Sequence, residues 1–189
     1  MAKIMLRPTS QLGNADISVG SNRILERADL AIVSVAVPNG EEASLTRALK
    51  DSWALSLPDA RQTSVSGDTR AIRTASDQLF LVFSHDTPDA EPFVQSRLNG
   101  AGYTTDQTDV WVALSVSGPD TLAALERICP LDLDLGVFPV DASARTIMEH
   151  MGAFILRLGE TEFLLLSPSS SAASFLHAVE LSFRYVTHG

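Results

Sequence analysis

"DLAIVSVAV", residues 29–37, returns about 80 residues later as "DVWVALSVS", residues 109–117, and this recurrence decides the fold. Each run opens on an aspartate and continues in strand-forming residues, and in the second Val110, Val112, Leu114 and Val116 alternate onto one face. Turn signals follow, "PNG" at 38–40 and "SGPD" at 117–120, and then a helical period. Leu45, Ala48 and Leu49 form the apolar stripe of the first helix; Leu122, Leu125 and Ile128 form that of the second.

Working outward, the stretch 53–68 is looser. "TRAIRTA" (69–75) and "LFLVFS" (79–84) read as strands joined near Asp77, and "PDAEPFVQSRL" (88–98) as a helix starting at Pro88 and stopping near Gly100. In the second half "ARTIMEHM" (144–151), "AFILRL" (153–158) and "EFLLLS" (162–167) read as strands, with Gly159 and Glu160 at a hairpin corner. A terminal helix follows, its apolar positions Ala172, Phe175, Leu176, Val179, Phe183 and Val186 in helical period and Ser169–Ser171 as its N-cap. "LFLVFSHDTPDAEPF" and "EFLLLSPSSSAASF" repeat the correspondence. The expected fold class is α+β, two ferredoxin-like split β-α-β halves at 29–108 and 109–189, packed together or sharing a sheet as one compact domain. Residues 1–28, without a sustained period, are read as an N-terminal arm.

Composition narrows the function classes. Of the 189 residues 45% are hydrophobic and 20% charged, and the net charge is −9. Residues 1–108 carry 10 basic and 13 acidic side chains and residues 109–189 carry 4 and 10, so neither half suits phosphates. Nucleic acid and anionic membrane are therefore not expected partners. No apolar run approaches the roughly 20 residues of a membrane span, and Met1–Leu6 is too short for a signal-peptide core, so a cytoplasmic location is expected. The single cysteine excludes an internal disulfide, and His85, His150, His177 and His188 lack metal-motif spacing.

Several residues invite a chemical reading. Cys129 sits in "CPLDLDLGVFPV" (129–140) with Asp132 and Asp134 at DxD spacing. Its position on the inward stripe before Pro130 describes a buried, inert thiol. The aspartates alternate with Leu131, Leu133 and Leu135, which suits a structural or interface role better than a metal site. The "SGPD" turn lacks the glycines of a phosphate loop, and Pro119 removes an N–H there. Ser115 and Ser117 lie outside any G-x-S-x-G pattern. Glu149 and His150, read within a strand, point to opposite faces and cannot act together. Trp53 and Trp111 suit a core or an interface as well as a cofactor. No catalytic, cofactor-binding or metal-binding residue is expected in this chain.

From Asp109 onward the sequence resembles the gamma subunit family of heterotetrameric sarcosine oxidase. The resemblance rests on the "SGPD" turn, "CPLDL" (129–133), Phe138–Pro139, the strand opening "ART" at Ala144 and "EFLLLSPSSSAASFL" (162–176). "LSLP" at 55–58 extends it loosely into the first half. "ASDQLFLVF" (75–83), where the family carries a P-D-E-W-L type turn, leaves room for the corresponding subunit of an N-methylglutamate dehydrogenase. The resemblance implies a fold related to the folate-binding part of the glycine-cleavage aminomethyltransferase. It also implies alpha, beta and delta partner subunits holding NAD, FAD, FMN and zinc, with tetrahydrofolate as co-substrate. The gamma chain it implies carries no catalytic residue. The readings are thus a non-catalytic subunit of a complex that oxidatively demethylates sarcosine to glycine, its N-methylglutamate relative, or a free-standing folate-binding module. An isolated chain is a candidate homo-oligomer.

Overall fold

The computed structural model describes residues 9–85 and 88–187 of the chain. They divide into two compact units, one built on Asp29–Asp109 and the other on Ser10–Ala28 with the residues from Val110 onward. Each unit has its own antiparallel sheet and its own core cluster, so of the two expected arrangements the shared sheet is not realised.

The first unit runs β3 (Leu30–Ala36), α1 (Glu42–Trp53), β4 (Thr63–Ser66), β5 (Thr69–Ala75), β6 (Gln78–Ser84), α2 (Ala90–Leu98) and β7 (Tyr103–Asp106), in sheet order β4-β5-β6-β3-β7. Central strands β3 and β6 are mostly apolar and buried over their inner five residues. Leu45 and Leu49 of α1 and Ala90, Val94 and Leu98 of α2 fill the core at helical spacing. Both helices stop on a left-handed residue, Ala54 and Asn99.

The second unit runs β1 (Asp16–Val19), β2 (Asn22–Glu26), β8 (Trp111–Ser117), α3 (Thr121–Glu126), β9 (Ser143–Met148), β10 (Met151–Gly159), β11 (Glu162–Pro168) and α4 (Ala172–Thr187). Its order, β9-β10-β11-β8-β2-β1, matches the first sheet strand for strand with β1 added. In the first unit β7, arriving after the last helix, pairs with β3; in the second, β2 pairs with β8 from the opposite end of the chain. The repeat is therefore permuted.

This corrects the reading of residues 1–28 as an arm. Residues 16–26 form a hairpin, Ile17↔Ile24 and Val19↔Asn22 in register, which covers the β8 edge that an unpaired strand would expose. Residues 1–8 of that stretch, and His188, lie outside the described residues. Val110 also departs from its assigned face, lying in a 3-10 turn at 45% exposure while Val112, Leu114 and Val116 are buried. In α4, Phe175, Val179 and Phe183 are fully buried, and Leu176 and Val186 pack against the same core. Ser169–Ser171 form a 3-10 turn leading into that helix.

Candidate functional site

"CPLDLDLGVFPV" is a rigid corner between α3 and β9. Pro130 ends the helical path, and the Cys129 N–H donates to the Leu125 carbonyl, 2.9 Å. Leu133 and Phe138 then insert into the core, at 0% and 1% exposure. The two aspartates shape the chain between them. Asp132 Oδ1 accepts the N–H of Asp134 at 2.9 Å, and Asp134 Oδ1 accepts that of Gly136 at 2.8 Å, two successive Asx turns. The Asp134 carbonyl accepts from Val137 and Phe138. These carboxylates are engaged by backbone and do not converge on a common ion. Among the described residues no group of three or more His, Cys, Asp or Glu is gathered for a metal.

A residue that sequence reading passed over holds this corner. Arg157 shares a β10 face with Ala153 and Ile155, so its side chain enters the core, and it is 1% exposed. A shift in the β10–β11 pairing between Arg157 and Gly159 marks a bulge, the local irregularity that re-aims a side chain. Nη1 donates to the Leu133 and Phe138 carbonyls, both at 2.8 Å. Nε donates to Gly159 O at 3.1 Å and Nη2 to Glu160 O at 2.5 Å. The Phe163 ring lies 5.1 Å from Cζ. Four carbonyl dipoles thus replace a carboxylate around a buried charge, which water would otherwise stabilise. The signal was a charge at an inward position of an apolar strand.

The "SGPD" turn is filled by protein. Asn22 Oδ1 accepts the Asp120 N–H at 2.9 Å, and Asn22 Nδ2 donates to Asp120 Oδ2 and the Val19 carbonyl, 2.8 and 3.0 Å away. Thr187 Oγ1 joins the same cluster. Gly118, at φ +132°, is required by this approach, because a Cβ there would stand 2.6 Å from the Asn22 Cα. The amide that an anion would need is already taken by Asn22.

The remaining candidates separate. Cys129 is 5% exposed among the core side chains. Trp53 packs against the first core, and Trp111 meets the edge of Phe154 at 5.4 Å. Ser115 and Ser117 are half-buried on β8. Glu149 and His150 are not in a strand as expected. They are the two central residues of the β9–β10 hairpin, both left-handed at φ 45° and 70°, the geometry of a type I′ turn that Asn-Gly favours.

Beside that turn an open groove of about 220 Å³ is lined by Arg127, Ile128, Glu149, His177, Leu181 and Tyr185 among others, with the Arg127 guanidinium 5.1 Å from the Tyr185 ring. In the other unit His85 bonds Asp89 at 2.8 Å and packs edge-on to the Phe83 ring and tilted against that of Phe93, while Arg97 lies 3.6 Å over the Phe93 ring. Among the described residues no metal-ligand set accompanies that pair.

Glu26, 7% exposed, is a second unforeseen anchor. Its carboxylate accepts from Ser10 Oγ at 2.6 Å and from the N–H groups of Gln11, Leu12 and Ala15 at 2.9, 3.1 and 3.3 Å. Burial pushes its pKa up, and the hydrogen bonds outweigh that, leaving it below the ordinary carboxylate value.

No family model and no curated protein matches the sequence. Among solved structures the chain is similar to a chain of heterotetrameric sarcosine oxidase from Corynebacterium sp. U-96, with 20% identity and a TM-score of 0.77, over 91% of this chain and 89% of that one. It is also similar to the glycine cleavage system aminomethyltransferase T of Bartonella henselae, with 18% identity and a TM-score of 0.55, over 82% of this chain and 44% of that one. At these identities the likeness is one of fold. The fold is α+β, two antiparallel sheets with their helices, of the kind found in the sarcosine oxidase chain and in the aminomethyltransferase.

Proposed function

We propose that this chain is a non-catalytic, gamma-type subunit of a sarcosine oxidase-like heterotetrameric flavoenzyme, which oxidatively demethylates sarcosine to glycine in the cytoplasm. The observation that carries the reading is the nearly end-to-end match to a chain of that heterotetramer, a chain of this one's own size. The residues quoted from "SGPD" and "CPLDL" support it; they fall at two turns of the second unit that the buried Asn22 and Arg157 anchor. Alpha, beta and delta subunits are the partners, and they carry NAD, FAD, FMN and zinc. The flavins would supply hydride and electron transfer; this chain supplies a rigid scaffold that holds its partners in register.

The test is sarcosine turnover by the other three subunits, expressed with and without this chain. Turnover that needs the chain, while the chain alone is colourless and inactive, agrees with the reading. Equal turnover without it overturns the reading.

The likeness to aminomethyltransferase T favours a second reading, a free-standing tetrahydrofolate-binding module. The groove beside Glu149, at about 220 Å³, is smaller than the roughly 300–1,000 Å³ of pockets that bury drug-sized ligands. Calorimetry of the isolated chain with tetrahydrofolate separates the two readings, since a flat titration removes the second.

A further inference from the structure

We propose that the tip of the 129–140 corner is the docking surface for a partner subunit, and that the partner meets it with an apolar depression rimmed by Arg and Lys side chains. The inference rests on the subunit reading above and names the surface that performs it.

Leu133 and Phe138 point inward, but Leu135, Val137 and Val140 stand 45%, 51% and 43% exposed. Three large aliphatic side chains thus face outward within six residues. Single exposed aliphatics are ordinary, whereas several in one short loop mark a binding surface. The fold holds them there: the Asp132 and Asp134 Asx turns set the backbone, and Arg157 clamps it through Leu133 and Phe138. A tip fixed in advance loses little conformational freedom on docking.

Charge selects the occupant. Asp132 and Asp134 are exposed, with no Lys, Arg or His between Ile128 and Ala144. An aliphatic centre within a carboxylate rim complements a cationic rim around an apolar depression, and Arg is enriched at interfaces. A second copy of this chain is the poorer occupant, because a two-fold contact would set the carboxylates against themselves.

The test co-expresses the tagged chain with the alpha, beta and delta subunits and measures its affinity for the assembled set. Val137→Arg places bulk and positive charge at the tip. Asp132→Asn/Asp134→Asn removes the charge, and the Asn oxygen keeps the turns. Each variant's folding is checked by melting temperature; if Val137→Arg does not fold, the double Asn variant decides, with Val65→Asp on the other unit as control. We expect Val137→Arg to weaken association by about tenfold or more, and the double Asn variant to weaken it and flatten its salt dependence. Wild-type affinity in both variants would overturn the docking surface and leave the subunit reading standing. Failure of the wild-type chain to assemble would overturn the subunit reading itself, and the docking surface with it. Self-association of the wild-type chain that Val137→Arg abolishes would assign the tip to a second copy and overturn the proposed occupant.

Discussion

The Arg157 guanidinium donates to the Phe138 carbonyl across 2.8 Å, tying the end of β10 to a loop 19 residues earlier. The same nitrogen holds Leu133, so one side chain fixes both inward anchors of the corner. Replacing Arg157 with Met keeps the apolar stem and leaves four carbonyls without their donor. We expect a loss of about 2–4 kcal/mol, measured by chemical denaturation, and only partial rescue by Arg157→Lys, whose single ammonium cannot reproduce the fork.

Gly118→Ala tests the turn that Asn22 fills. The new Cβ would stand 2.4 Å from Asn22 Oδ1 and 2.9 Å from the Ser21 carbonyl, at a φ of +132° that side chains avoid. A destabilisation of about 3 kcal/mol or more follows, read as a fall in denaturation midpoint. An unchanged midpoint would contradict the placement of Asn22 against the turn.

Glu26 makes stability depend on pH. Its folded pKa lies below its ordinary value of 4.5, so its contribution is complete above that pH and is lost as pH falls through the folded value. Denaturation of the wild-type chain from about pH 7 to about pH 3 should therefore show a stability drop at the acid end that Glu26→Gln reduces. The variant should also be less stable near neutrality, where the neutral amide makes weaker bonds to the same N–H groups.

Cys129→Ala should cost only about 1 kcal/mol, the loss of a small buried side chain, and leave turnover of the assembled enzyme intact. In the folded chain the thiol should resist a soluble disulfide reagent until the protein is unfolded. Rapid modification of the native chain would contradict its burial.

Glu149→Asn/His150→Gly should raise stability by about 1 kcal/mol, because both positions adopt φ above zero and the present residues bear the steric cost.

Much of this fold was legible because its central strands are long apolar runs bracketed by helical stripes; β3, β6, β8 and β11 stand within a residue or two of the quoted segments. The permutation was not legible. β7 ("YTTD") and β4 ("TSVS") are short, polar edge strands whose pairing is settled by neighbours rather than by hydrophobic period. "DISVGSNRILE" does alternate around a Gly-Ser turn, but the Gly13 and Asn14 before it break the pattern. Of the candidate residues, the burial of Cys129 and Leu133 was legible from spacing; the alternation that would also turn Leu135 inward fails at the Asx turns, and Leu135 is 45% exposed. Glu26, Arg157 and Asn22, which hold the turns, reach Ala15, Leu133 and Asp120 across 11, 24 and 98 residues of sequence, beyond any local pattern.

The central claim, that this chain is one subunit of a four-subunit flavoenzyme, is tested most directly by native mass spectrometry of the chain co-expressed with alpha, beta and delta subunits. The account predicts one assembly containing a single copy of all four chains and bound flavin. A three-subunit flavoenzyme with this chain running separately at 20.3 kDa would contradict it.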